Sequence, residues 1–254
     1  MHTIRLIRSP RPTRKEHALL PDYKIRESAR AKHVRFRVTI SDGLVVTIPV
    51  GFDHARIPEL LEEKRAWLVR ALHQIEQHRQ TMPDPNQHPT TIELPTLDQV
   101  WRLEWVQTDE PALSLVETHP FELQISGQID DTRAWQSSLR QWLIDKAREA
   151  LVPWMNDLSK DLGLVIRRVD VRCQKTRWGS YSSKGTVSLN AQLLLLPRPL
   201  ARYVLIHELC HSAHLNHSPR FWRLVRQWEP DADRLRSELK DARQFVPGWL
   251  HPGD

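Results

Sequence analysis

Cysteine is scarce in this chain: Cys173 and Cys210 are the only two among 254 residues. Two thiols cannot staple a chain of this length, which argues against a disulfide framework and leads to the expectation of a reducing, cytoplasmic setting. Long hydrophobic runs are also missing. Nothing approaches the roughly 20 apolar residues that cross a bilayer, so no membrane association is expected. The first eight residues, Met1 to Arg8, are basic, but no apolar segment follows them, which argues against a secretion signal. No internal repeat is present. What remains is ordinary for a soluble globular chain, with 40% hydrophobic and 27% charged residues. Ten tryptophans are scattered along it and read as core fillers.

The charge is unevenly placed. Residues 1 to 37 hold 11 Lys and Arg against Glu16, Asp22 and Glu27, a net of +8; the whole chain carries +6, which leaves −2 for the rest. A nucleic-acid or acidic-partner arm is one reading of that excess. A solvated tail and strand face is the other, favoured because no aromatic stacking platform is interleaved.

Residues 1 to 22 are rich in Arg, Pro and Ser and read as a loosely attached basic arm. Val34, Phe36, Val38 and Ile40 alternate with polar residues, Asp42-Gly43 makes a turn, and Leu44, Val46 and Ile48 alternate again, which predicts a β-hairpin. Apolar residues from Ile57 to Ile75 keep helical spacing and predict a helix from near Arg56 to near Arg79. Pro83, Pro85, Pro89 and Pro95 mark a linker or loop. Val100 to Val106 and Phe121 to Ile125 read as strands extending the N-terminal sheet. From Asp130 to Asp161 Trp135, Leu139, Trp142, Leu143, Ala147, Leu151, Trp154 and Leu158 form one stripe, with Pro153 expected to kink or break the helix. Strands over Val165 to Cys173 and Thr186 to Asn190 precede helices at Leu200 to Leu215, Pro219 to Gln227 and Ala232 to Ala242. The predicted fold class is α+β, divided into the arm (1–22), a β-rich region with one long helix (23–128) and a C-terminal domain (129–254).

The C-terminal domain carries His207-Glu208-Leu209-Cys210-His211. Residues four apart on a helix share a face about 6 Å apart along the axis, so His207 and His211 can bind one ion. Glu208 lies about 100° round, beside the metal rather than on it, where a carboxylate can take a proton from water. Cys210 reads as a small packing residue. His214 shares the ligand face, but seven residues span about 10 Å, too far for His207 and His214 to hold one zinc. If the helix ends near Leu215, with Asn216 in the left-handed conformation, the chain can return His217 to the ion. Glu229 and Glu238 are competing third ligands. Ser218-Pro219 reads as the start of the next helix.

The runs Thr176-Arg177-Trp178-Gly179-Ser180, Ser182-Ser183-Lys184-Gly185, Ser188-Leu189-Asn190 and Tyr203-Val204, the His207 to His211 motif, and Asn216-His217-Ser218-Pro219-Arg220-Phe221-Trp222 resemble the YgjP-like metallopeptidase family, zincin-type hydrolases distantly similar to SprT-like proteases. The resemblance spans about Tyr23 to Trp249 and is densest from Arg172 to Pro230. It implies a zincin-like catalytic domain with an antiparallel sheet packed on helices. It also implies one zinc per chain held by His207, His211 and His217, Glu208 as the base, and a peptide or protein substrate. Where the family usually has Cys after Trp-Gly-Ser, this chain has Tyr181. Thr186 to Asn190 is the candidate for an edge strand that binds extended peptide. His214, Arg177, Trp178, Tyr181 and Tyr203 are candidates for substrate or oxyanion contacts. A zincin-fold binding module with a structural metal, docking nucleic acid or a protein complex through the basic segment, is the alternative function.

Overall fold

A computed structural model describes residues 6–8, 21–39, 43–72 and 84–250. The chain divides into two units, one within residues 1–83 and one within residues 84–252. The division thus falls in the proline-bearing stretch, and the segment from Asp84 to Gln128 goes with the C-terminal residues. No described helix is long and apolar enough to cross a membrane.

In the first unit the alternating segments pair as expected. β3 (Arg35–Thr39) and β4 (Gly43–Pro49) are antiparallel, with Phe36 opposite Val46 and Val38 opposite Leu44. The turn at residues 40–42 lies outside the described residues. β2 (Tyr23–Ser28) runs parallel to β4, and β1 (Leu6–Arg8) pairs antiparallel with β2, giving the order β1-β2-β4-β3. The segment expected to be a loose arm therefore supplies an edge strand, because β2 offers it an otherwise unpaired row of backbone groups. Ile25, Leu44, Val46 and Ile48 pack against Ile57 and Leu61 of α1 (Ile57–Glu63) and Leu68 of α2 (65–72). The predicted single helix is thus interrupted at Lys64, where no Pro or Gly marks the break; residues 73–79 lie outside the described residues.

The second unit holds two sheets. β5 (Thr91–Leu94), β6 (Gln99–Gln107), β7 (Ser114–His119) and β8 (Glu122–Gly127) form a sheet of order β5-β6-β8-β7. β6 and β8 do not extend the N-terminal sheet, because Ile92, Leu94, Trp101, Leu103, Leu123 and Ile125 bury against the stripe of α3 (Thr132–Leu162). That helix begins at Asp131, whose carboxylate accepts from the N–H groups of Arg133 and Ala134, and ends at Gly163 with φ 64°. It runs unbroken through Pro153, which is exposed, so water can meet the carbonyl that the proline leaves unbonded.

β9 (Arg168–Arg172), β10 (Gly179–Tyr181) and β11 (Thr186–Asn190) form the sheet that bears on the metal motif. β11 is its central strand, parallel to β9 and antiparallel to β10. The sheet is thus mixed, and β11 cannot be the peptide-binding edge because both its sides are taken. The free edge nearest the motif belongs to β10. α3 packs behind this sheet, and α4 (Arg198–Cys210) lies beside β10 and β11. α5 (Pro219–Trp228) and α6 (Ala232–Glu238) then close over α4. The whole is α+β.

Candidate metal centre

α4 buries Leu200, Tyr203, Val204, Leu205, Ile206, Leu209 and Cys210, which fixes it in the core and leaves one face for the motif. It ends earlier than its pattern predicts. His211 occupies the C-cap, and N–H groups of residues 211–214 bond back to the carbonyls of Glu208, Leu209 and Cys210. Asn216 does not adopt the left-handed conformation; these backbone bonds make the turn instead. The return is short, and Ser218 then caps α5 by accepting from the Phe221 N–H at 3.4 Å.

The result is convergence of three imidazoles. One ring nitrogen each from His207, His211 and His217 lies within 4.8 Å of the others. Nε2 of His217 and Nε2 of His207 are 3.1 Å apart. Two nitrogens bound to one tetrahedral zinc stand about 3.3 Å apart, so the spacing fits. The His211 Nδ1 donates to the His214 carbonyl at 3.0 Å, which leaves its Nε2 as a lone-pair donor. His207 Nδ1 is buried with no hydrogen-bond partner among the described residues. Burial pushes the His207 pKa down to about 3, with His211, His217 and Arg236 adding to the effect, and burial also lowers that of His211. Both rings are therefore neutral at pH 7, the form that binds a metal. Phe221 stacks on His211 at 4.5 Å between ring centroids, and Trp222 on His217 at 5.6 Å, so α5 supplies an aromatic backing.

The competing carboxylates lie elsewhere. Glu229 is paired with Arg202, and Glu238 with Arg234 at 2.7 Å.

Glu208 is 7% exposed and sits beside the cluster without belonging to it. Burial raises its pKa to about 7, against the lowering effects of Arg177 and a hydrogen bond from the Tyr181 backbone. Gly179 makes room for it: a Cβ there would stand 2.8 Å from Glu208 Cγ and 2.9 Å from its Oε1. β10 and Glu208 are thus packed directly together.

His207, Glu208 and His217 face an open cleft of about 660 Å³ whose wall also includes Arg177, Trp178 and Tyr203. Of the sequence candidates, Arg177, Trp178 and Tyr203 border it. The Tyr203 phenol is buried, which lifts its pKa to about 12 and keeps it a donor at neutral pH. Tyr181 is not in the wall and serves through its backbone, with its ring 6.5 Å from that of His211. His214 contributes its carbonyl, and its side chain is not in the wall. Residues that sequence reasoning passed over also border the cleft: Gly179, Trp222, Arg236 and Leu239. Gly179 and Trp222 lay inside the runs that carried the family resemblance; Arg236 had no local signal, because only the packing of α6 brings it here.

A buried carboxylate beside three converged imidazoles in an open cleft is the class of site used by metal-dependent hydrolases. A family model described as YgjP-like, metallopeptidase domain, matches residues 32–242, and the protein belongs to that family. Two solved structures are similar over part of the chain. Abylysin of Pyrococcus abyssi, a metallopeptidase zymogen, is 28% identical with a TM-score of 0.31, over 34% of this chain and 89% of its own. Jannalysin of Methanocaldococcus jannaschii, also a metallopeptidase zymogen, is 22% identical with a TM-score of 0.31, over 34% of this chain and 90% of its own. No curated protein matches the chain.

Proposed function

We propose that the protein is a zinc-dependent peptidase in which His207, His211 and His217 hold one zinc and Glu208 is the general base. The observation that carries this reading is the buried Glu208 carboxylate, its pKa raised to about 7, beside three imidazole donors that spare it from ligation. When bound, zinc polarises the scissile carbonyl and acidifies water in the cleft. Glu208 takes the proton of the attacking water and passes it to the leaving amine, a shuttle suited to a pKa near the working pH. The Tyr181 backbone and the absence of a side chain at Gly179 hold that carboxylate in place. The Tyr203 phenol, which keeps its proton, and the Arg177 guanidinium face the same cleft as donors for the developing oxyanion. The free edge of β10 offers backbone groups to an extended peptide.

Glu208→Gln tests the assignment. The variant should bind zinc as the wild type does, while hydrolysis of an unfolded protein substrate falls at least about 100-fold. Loss of zinc would reassign the carboxylate as a ligand. Equal activity in both proteins would remove the peptidase reading. In parallel, His217→Ala should weaken zinc binding, measured by metal analysis after dialysis.

A second reading, binding to nucleic acid, is favoured by one observation. Strand register puts Lys24 and Arg26 of β2, and Arg37 and Arg35 of β3, on one face of the first sheet, flanking Val45 and Thr47 of β4. All four basic residues are exposed, and none of these positions holds an acid. Such a face suits a phosphodiester backbone without base recognition. Replacing Arg26, Arg35 and Arg37 by Ser should lower DNA or RNA affinity and flatten its dependence on log salt by about 3. A full-length protein that binds neither at low salt ends this reading.

A further inference from the structure

Arg236 stands out among the arginines near the metal centre. Arg226 donates to both oxygens of Asp233, at 2.9 and 3.1 Å. Arg234 reaches Asp231 and Glu238, each at 2.7 Å. Arg202 is paired with Glu229. Arg236 has no carboxylate within ion-pairing distance among the described residues. The acid three residues before it, Asp233, hydrogen-bonds Arg226 and acts on Arg236 only through space. Instead its Cζ lies 4.3 Å over the Trp222 ring, and Trp222 stacks on His217.

The guanidinium also borders the cleft whose wall includes His207 and His217. Arg177 borders the same cleft, also with no ion pair among the described residues. Among the described residues the one carboxylate in the wall is Glu208, which is buried against Gly179 and bonded by the Tyr181 backbone. Two guanidiniums beside a site for a dication repel it, a cost that an anion lying between them would reverse. A guanidinium lying over an indole keeps its N–H edges available, the geometry that binds a carboxylate bidentately.

We propose that Arg236 receives a carboxylate of the substrate, from an acidic side chain or a free C-terminus, close to the reacting bond. The assignment rests on the peptidase reading for its setting, but it is testable by binding alone. The probe is zinc-loaded Glu208→Gln protein titrated calorimetrically with three otherwise identical peptides. One carries a single Glu and an amidated end, one is neutral with a free C-terminus, and one is neutral and amidated. The first or second should bind most tightly, which identifies the source of the carboxylate. Adding Arg236→Gln should weaken that peptide about 10- to 100-fold, the scale of a charge-assisted hydrogen bond, and leave the neutral amidated peptide unchanged. Arg236→Lys should restore part of the difference. No preference for either carboxylate peptide, or an equal loss for all three in Arg236→Gln, would overturn the proposal. Carboxylate-selective binding without cleavage by the wild type would leave it standing and remove the peptidase reading.

Discussion

Gly179 and Glu208 illustrate how a single hydrogen in place of a side chain can set a carboxylate. A methyl group at Gly179 would meet Glu208 Cγ at 2.8 Å and Oε1 at 2.9 Å, so the acid would have to move. Gly179→Ala should keep its zinc and lower peptide hydrolysis about 100-fold, the scale of a misplaced catalytic group. Metal analysis and kinetics on one preparation check it. Glu208 also carries a pH signature. Its folded pKa of about 7 lies above the ordinary value of 4.5, so the folded state holds the proton more tightly. Its contribution to stability is fully present below about pH 4.5 and is lost as pH rises through about 7. Relative to Glu208→Gln, metal-free wild type should therefore lose stability between pH 4.5 and 7.5, on the order of 3 kcal/mol at most. Denaturant melts of both proteins at the two pH values measure this, and a constant difference would contradict it. At this scale the two motif histidines, Glu208 and His217 were legible in spacing and family resemblance. The closeness of Gly179 to Glu208 and the position of Arg236 were not, because both depend on contacts between distant segments.

Among the elements, β11 matters less as a surface than as an anchor. Its last residue, Asn190, is buried; its Nδ2 donates to the carbonyls of Gln174 at 2.8 Å and Arg177 at 2.7 Å. Its Oδ1 accepts from the Gln192 N–H at 3.1 Å. One amide thus pins the loop that carries Arg177 and Trp178 into the cleft wall. Asn190→Ala removes these bonds from the buried Gln192 N–H and the part-buried carbonyls of Gln174 and Arg177, and should cost about 2 kcal/mol, read from denaturant unfolding. The variant should also lose more peptide binding than zinc affinity, since the loop lines the cleft without supplying a ligand. The strong periodicities of α3, α4, β4 and β6 made those elements readable. β5 and β7 were not: β5 has four residues beside Pro95, and β7 buries little of its side-chain surface. The centre position of β11 was hidden too, since a three-residue strand such as β10 leaves almost no pattern.

For the molecule as a whole, the decisive feature is that the described residues form two cores. The larger draws its buried residues from Ile92 to Leu250, the smaller from Ile25 to Leu68, and they share none. A protein beginning at Asp84 should therefore fold and bind about one zinc per chain, as checked by calorimetric melting and metal analysis; failure to fold would show that the first unit is needed. Periodicity located most strands but could not say which core each would join. β6 and β8 alternate as any half-buried strand does, and only the tertiary packing, which joins them to the core that α3 buries, decides their side. Separate cores also change how the protein can vary over generations. A substitution that empties part of the small core acts first on its own unit, and chaperones and proteases would act there first. Selection on the histidine cluster leaves the basic sheet free to drift, so the two halves need not share one history of change.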